Sequence, residues 1–168
     1  MSRAFVRESD GDDSDTGLPE RPESPNVNYV TCTGLALLKE QIEELEQEAR
    51  SLRQSTELGA RQRLAYLERD LRYFRRRFNS AVLVDRSVQA HDRVVFGSTV
   101  VLADEDDARM TFTIVGEDEA DAAAGKISWV SPLAKSLLNA QAGDVVTWNR
   151  PSGPVELEVV EIVREKTG

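Results

Sequence analysis

Residues 34–52 read GLALLKEQIEELEQEARSL, and residues 60–78 read ARQRLAYLERDLRYFRRRF. In the first stretch Leu35, Leu38, Ile42, Leu45, Ala49 and Leu52 recur at alternating steps of three and four, the spacing of a coiled-coil seam. Ala60, Leu64, Leu67, Leu71, Phe74 and Phe78 repeat the pattern in the second. A few polar residues around Ser55 and Thr56 separate the seams, so the two can bury their apolar edges only on each other. This predicts an antiparallel coiled-coil hairpin over residues 29–82, with arms reaching about 30 Å. Thr31 stands where an N-cap belongs, its hydroxyl able to accept from a free N–H of the first turn. Gly59 is a weak spot near the start of the second helix.

The charges divide along the chain. Residues 1–28 hold three basic and seven acidic residues, residues 29–82 hold ten and eight, and residues 83–168 hold eight and fifteen. The net charge of −9 argues against general nucleic-acid affinity, which comes from phosphate neutralisation by a positive surface. Within the hairpin the first arm is acidic, through Glu40, Glu43, Glu44, Glu46 and Glu48, and the second is rich in arginine. Opposite flanks attract across a seam, which accounts for most of these charges. Arg50, Arg53, Arg61 and Arg63 crowd the turn, with Glu57 as their acidic company.

Residues 1–28, with Asp10, Asp12, Asp13, Asp15, Pro19, Pro22 and Pro25, offer little apolar surface to offset ordering entropy, so a disordered acidic tail is expected there. It ends at Tyr29 and Val30, which read as an anchor. From residue 83 to 168 the apolar period changes to two. Val94–Leu102, Met110–Val115, Ile127–Val130, Val145–Trp148 and Val155–Val163 read as five strands bounded by turn residues such as Gly116, Gly125 and Gly143. Between the third and fourth, Ser131–Leu138 reads as a short helix, with serine as cap and Pro132 at its first position. The fold class is α+β, a helical hairpin followed by a small β-rich domain.

Cysteine chemistry is confined to Cys32 and histidine chemistry to His91, which excludes an internal disulfide framework and a Cys/His metal cluster. His91 lies in a polar turn and reads as an exposed loop residue rather than a base. No phosphate-binding glycine loop is present. The acidic runs Asp104–Asp107 and Glu117–Asp121 both read as loops, the first lacking the glycine and final glutamate of a calcium site. Apolar runs are far too short to cross a bilayer and no signal sequence is visible, so a soluble, cytoplasmic protein with no membrane partner is expected.

Four segments in order point to a family: IVGEDEAD at 114–121, ISWVSPLA at 127–134, GDVV at 143–146 and ELEVVEI at 156–162. With DRVVFGSTV at 92–100 and the Tyr29-Val30-Thr31 helix entry, residues 29–164 resemble the Gre family of transcription elongation factors. The resemblance implies an FKBP-like C-terminal domain over residues 83–168 that docks on bacterial RNA polymerase near its secondary channel, and a coiled coil that enters the channel. It places Ser131, Pro132 and Leu133 on the docking surface. It implies no catalytic residue and no cofactor of the chain's own, only magnesium shared with the polymerase active site and indirect contact with nucleic acid in the elongation complex.

The sequence departs from that family at the hairpin tip. Cleavage-stimulating Gre factors carry two acidic residues there, which help hold a catalytic magnesium that activates water. Here the tip runs from Arg53 through Glu57 to Arg61, and Glu57 is its sole carboxylate, the one weak catalytic candidate. Nearby arginines oppose cation binding. The arms are also shorter than those of cleavage factors. The expectation is a Gre-like regulator that occupies the channel without stimulating cleavage. A prolyl isomerase is a second class, suggested by the FKBP-like fold alone. A coiled-coil scaffold is a third, but matched seams satisfy each other within one chain, so a monomer is expected.

Overall fold

The computed structural model describes residues 17–89 and 92–163. His91 and the first sixteen residues of the expected tail lie outside the described residues.

Two helices form the hairpin: α1 spans Cys32–Arg53 and α2 spans Ala60–Asn79. At about 1.5 Å per residue, α1 with its 22 residues extends about 33 Å. Thr31 is extended and accepts from Gly34 N at 2.9 Å, capping α1 as the sequence suggests. Gln54 caps the other end, and Gly59, at φ +85°, makes the left-handed step into α2. Leu45, Ala49 and Leu71 form the buried centre of the seam, flanked by Ile42, Leu64, Leu67 and Phe74. Complete burial of Ala49 shows how closely the helices approach there.

The ends of the hairpin are stitched by two short parallel strands, β1 (Tyr29–Val30) and β2 (Val82–Leu83), paired Tyr29 to Val82 and Val30 to Leu83. Ladder bonds run from Val82 N to Asn28 O at 2.8 Å and from Val84 N to Val30 O at 3.0 Å. Two residues per strand give no period-two pattern, which is why this sheet is not legible in the sequence.

The second domain is a five-stranded sheet ordered β5-β4-β3-β7-β6, built from β3 (Thr99–Ala103), β4 (Arg109–Val115), β5 (Lys126–Ser128), β6 (Val145–Arg150) and β7 (Gly153–Val163). β4 and β5 are parallel, the other neighbours antiparallel. One helix, α3 (Pro132–Leu137), lies between β5 and β6 in sequence. Its Leu133, Ala134 and Leu137 join Val94, Val100, Leu102, Ile114, Leu157 and Val159 in one core.

All five expected strands exist, but two are shorter than their apolar patterns. Val94–Leu102 yields a strand only from Thr99, because Gly97 turns at φ +83° and the buried Ser98 hydroxyl accepts from Val95 N at 3.0 Å. Ile127–Val130 ends as a strand at Ser128, whose hydroxyl accepts from Val130 N at 3.3 Å and turns the chain into α3. The run Asp104–Asp107 is the β3–β4 hairpin loop, closed by Asp104 Oδ1 accepting from Asp106 N and Ala108 N.

Candidate functional site

Four groups of side chains bear on function: the start of α3, the tip of the hairpin, the joint between the domains and the arginine face of α2. At the start of α3, Ser131 accepts from Ala134 N through its hydroxyl at 3.3 Å, and Pro132 occupies the first turn, where its missing N–H costs nothing. Pro132 is exposed, as is Lys135 one turn on. Leu133 is not: it is 3% exposed and packs into the core of the sheet domain. The expectation that Leu133 shares an outward surface with Ser131 and Pro132 is therefore corrected. On a helix, neighbouring positions point about 100° apart, and the apolar one of the three turns inward.

At the tip, Arg53 reaches back to Glu68 of α2 at 2.8 Å, so its charge is used within the hairpin. Arg63 similarly pairs with Glu48 at 3.4 Å. Glu57 lies exposed in the loop, where its backbone N–H donates to Ser55 Oγ at 3.1 Å. Arg61, the second residue of α2, is exposed. Leu58 between them is fully exposed. No group of three or more His, Cys, Asp or Glu residues able to hold a metal occurs among the described residues. A magnesium ion prefers several oxygen ligands, and one solvated carboxylate in an arginine-rich turn does not fit that need.

The joint between the domains is built from groups whose roles are not visible in the sequence. Within the acidic run that follows β4, Glu117–Glu119 form a single 3-10 turn. Arg77 of α2 is 3% exposed and donates from Nε to Asp118 Oδ2 at 2.7 Å and from Nη2 to Asn28 Oδ1 at 2.6 Å. Asn28 Nδ2 donates in return to Arg77 O at 2.7 Å. Glu117 stands 3.9 Å from the same guanidinium. A buried guanidinium is tolerable because its charge is matched and its donors are used. The Thr31 hydroxyl, besides capping α1, donates to Glu119 Oε2, and Lys126 holds Glu119 Oε1 at 3.3 Å. Tyr29 completes the joint: its ring meets Trp129 edge-on at 5.1 Å and Phe96 at 6.0 Å. Tyr73 donates to Asp118 at 3.4 Å, and burial, followed by the Asp118 charge, pushes its phenol above the ordinary range.

The described part of the expected tail lies along α2. Glu20 accepts from Arg72 at 2.6 Å and from Arg76 at 3.1 Å, and Glu23 pairs with Arg76. Arg21 sits 4.1 Å over the Tyr73 ring and 3.6 Å from Asp70. Composition alone gives no sign of these contacts, in which Glu20, Arg21 and Glu23 pair with residues of a distant helix. The sequence signal for this, arginines spaced four apart on α2, is indistinguishable from that of a solvated helix face.

A helical hairpin ending in a paired two-stranded stitch and joined to a five-stranded sheet defines the class by architecture: an α+β protein. Residues 89–164 match the family described as transcription elongation factor, GreA/GreB, C-term. Over 151 residues the chain is 34% identical to transcription elongation factor GreB of Neisseria meningitidis serogroup B, covering 80% of this chain and 93% of that one. It is 42% identical over 106 residues to GreA of Pseudomonas syringae pv. tomato, covering 62% of this chain and 67% of that one. A solved structure of Gfh1 from Thermus aquaticus is 25% identical with a TM-score of 0.40, covering 80% of this chain and 96% of that one. The chain belongs to the GreA/GreB family of transcription elongation factors.

Proposed function

We propose that this protein binds bacterial RNA polymerase as a cytoplasmic, monomeric regulator of elongation, without stimulating transcript cleavage. The sheet domain docks near the mouth of the secondary channel through Ser131 and Pro132, and the hairpin enters the channel. Membership of the GreA/GreB family supports the general activity. The observation that carries the finer reading is the tip: Glu57 is the loop's only carboxylate, and Arg61 follows it. In a two-metal phosphodiester site the added cation must be held by hard oxygen donors, and the tip supplies too few. The chain then acts by occupying the channel and altering access to it, so the chemistry remains the polymerase's own.

No helix among the described residues is long and apolar enough to cross a membrane. A monomer accords with the seam, because Leu45, Ala49 and Leu71 bury one another within a single hairpin.

The test has two arms. Core polymerase should retain the intact chain in a pull-down and lose it on Pro132→Asp, a change at an exposed helix start that accepts an acidic residue without unfolding. Equal retention of both would refute docking through this surface. Backtracked elongation complexes mixed with the protein should keep intact 3′ RNA ends. Efficient shortening that is abolished by Glu57→Ala would refute the cleavage-silent reading while leaving docking in place.

A further inference from the structure

We propose that residues 20–23 are an acidic strap occupying an anion-binding face of α2 built by Arg72 and Arg76, and that single-stranded nucleic acid competes with the strap for that face. Glu20 bridges both arginines. Its Oε1 accepts from Arg72 Nε and Nη2 at 3.0 and 2.6 Å, and its Oε2 accepts from Arg76 Nη1 and Nη2, each at 3.1 Å. Glu23 takes the remaining Arg76 donor, Nε. Two guanidiniums one helical turn apart, presenting paired N–H groups to oxygens, match a phosphate as well as a carboxylate.

Side chains alone attach the strap. No backbone bond joins residues 18–26 to α2 among the described residues, and Pro19, Pro22 and Pro25 hold the segment out of regular structure. The partners are close to half exposed, with side-chain exposures of 47% for Glu20, 44% for Arg72 and 41% for Arg76. Such pairs are weak and screened by salt, so a covalently tethered strap persists through its local concentration rather than through strong bonding. A ligand with many phosphates gains from every arginine it neutralises and can displace it. Arg72 also lines a groove of about 530 Å³ between the helices with Arg50, Arg53 and Arg75, where Glu68 and Glu46 already pair with Arg53 and Arg75, so the open anion-binding face is the one that Arg72 and Arg76 present to the strap. The net charge of −9 hides this face, because acidic residues of the same chain lie on it. This inference is independent of polymerase docking and is tested without polymerase.

The experiment measures binding of a fluorescent single-stranded oligonucleotide to the full chain by anisotropy. The double substitution Glu20→Gln with Glu23→Gln should tighten binding about tenfold at low salt, with the gain fading as salt rises. The charge-matched control, Glu156→Gln with Glu158→Gln on the exposed side of β7, should bind as the unmodified protein does. Adding Arg72→Ala and Arg76→Ala to the strap variant should cancel the gain. Carboxyl-carbon NMR signals of Glu20 and Glu23 should move toward free-glutamate positions when the oligonucleotide saturates the unmodified protein, because their attachment is through side chains. Equal affinity of the strap variant and the unmodified chain, or a gain that survives loss of both arginines, would overturn the proposal. Unchanged Glu20 and Glu23 carboxyl signals in a saturated complex would do so too. Displacement of the strap by polyglutamate but not by the oligonucleotide would assign the face to an acidic protein surface and overturn the nucleic-acid assignment.

Discussion

Arg77 donates from Nε to Asp118 Oδ2 at 2.7 Å, with 3% of the arginine side chain exposed, and so joins the end of the hairpin to the turn that follows β4. This pair, with Asn28, fixes the two domains relative to one another. Removing the buried guanidinium leaves the buried Asn28 Oδ1 without its donor and Asp118 without its counter-charge. Arg77→Ala should therefore destabilise the protein by about 3–5 kcal/mol, measured by denaturant unfolding. Arg77→Met, which keeps the aliphatic volume, should remain destabilising because the buried Asn28 Oδ1 still lacks its donor. A cost below that of an ordinary exposed pair would show that the joint does not depend on this contact.

A second prediction concerns close approach at the same joint. A Cβ placed on Gly116 would collide with the backbone oxygen of Tyr29. Backbone atoms cannot swing aside, so Gly116→Ala should cost about 1–3 kcal/mol although its φ of −67° suits any residue. Thermal unfolding of the variant should show the loss. An unchanged midpoint would mean that β1 can shift away at little cost.

Apolar seam and charged flanks should separate clearly in stability measurements. Leu71, 4% exposed at the centre of the hairpin, should cost about 2–4 kcal/mol when replaced by alanine. Glu46→Gln, which removes the 2.6 Å pair with Arg75 on the surface, should leave the unfolding midpoint nearly unchanged.

The strap should also respond to pH. The hydrogen bond from Arg72 holds the Glu20 carboxyl below the ordinary glutamate range; desolvation opposes this, and Arg76 reinforces the lowering. A depressed native pKa means that the ion pairs contribute fully above the ordinary glutamate value and are lost as pH falls through the depressed one. A carboxyl-carbon NMR titration should place the Glu20 midpoint below that of a free glutamate, and Arg72→Ala should move it upward. A midpoint unaffected by that substitution would contradict the pairing.

Much of the architecture follows from short-range pattern. The alternating three- and four-residue steps locate α1 and α2 closely, since a helix seam is set by neighbours within two turns of the chain. Period-two alternation finds all five strands of the larger sheet, and Ser131-Pro132 marks the start of α3. It overextends the first strand because Gly97 and Ser98 form a turn inside an otherwise apolar run. The orientation of Leu133 is missed for a related reason: a six-residue helix has too few positions to reveal which face is buried.

Sequence alone determines that the chain folds as a hairpin plus a β-rich domain and that the hairpin tip carries one carboxylate. Both are properties of residue identity and local spacing. Tertiary structure decides which of ten arginine and lysine residues in the hairpin region is buried, and which acidic groups meet them. Asp118 lies 41 residues from Arg77, Asn28 49 residues away, and Glu20 52 residues before Arg72. Charges of one sign look alike in sequence; their roles differ only once folding sets which are withdrawn from water and paired.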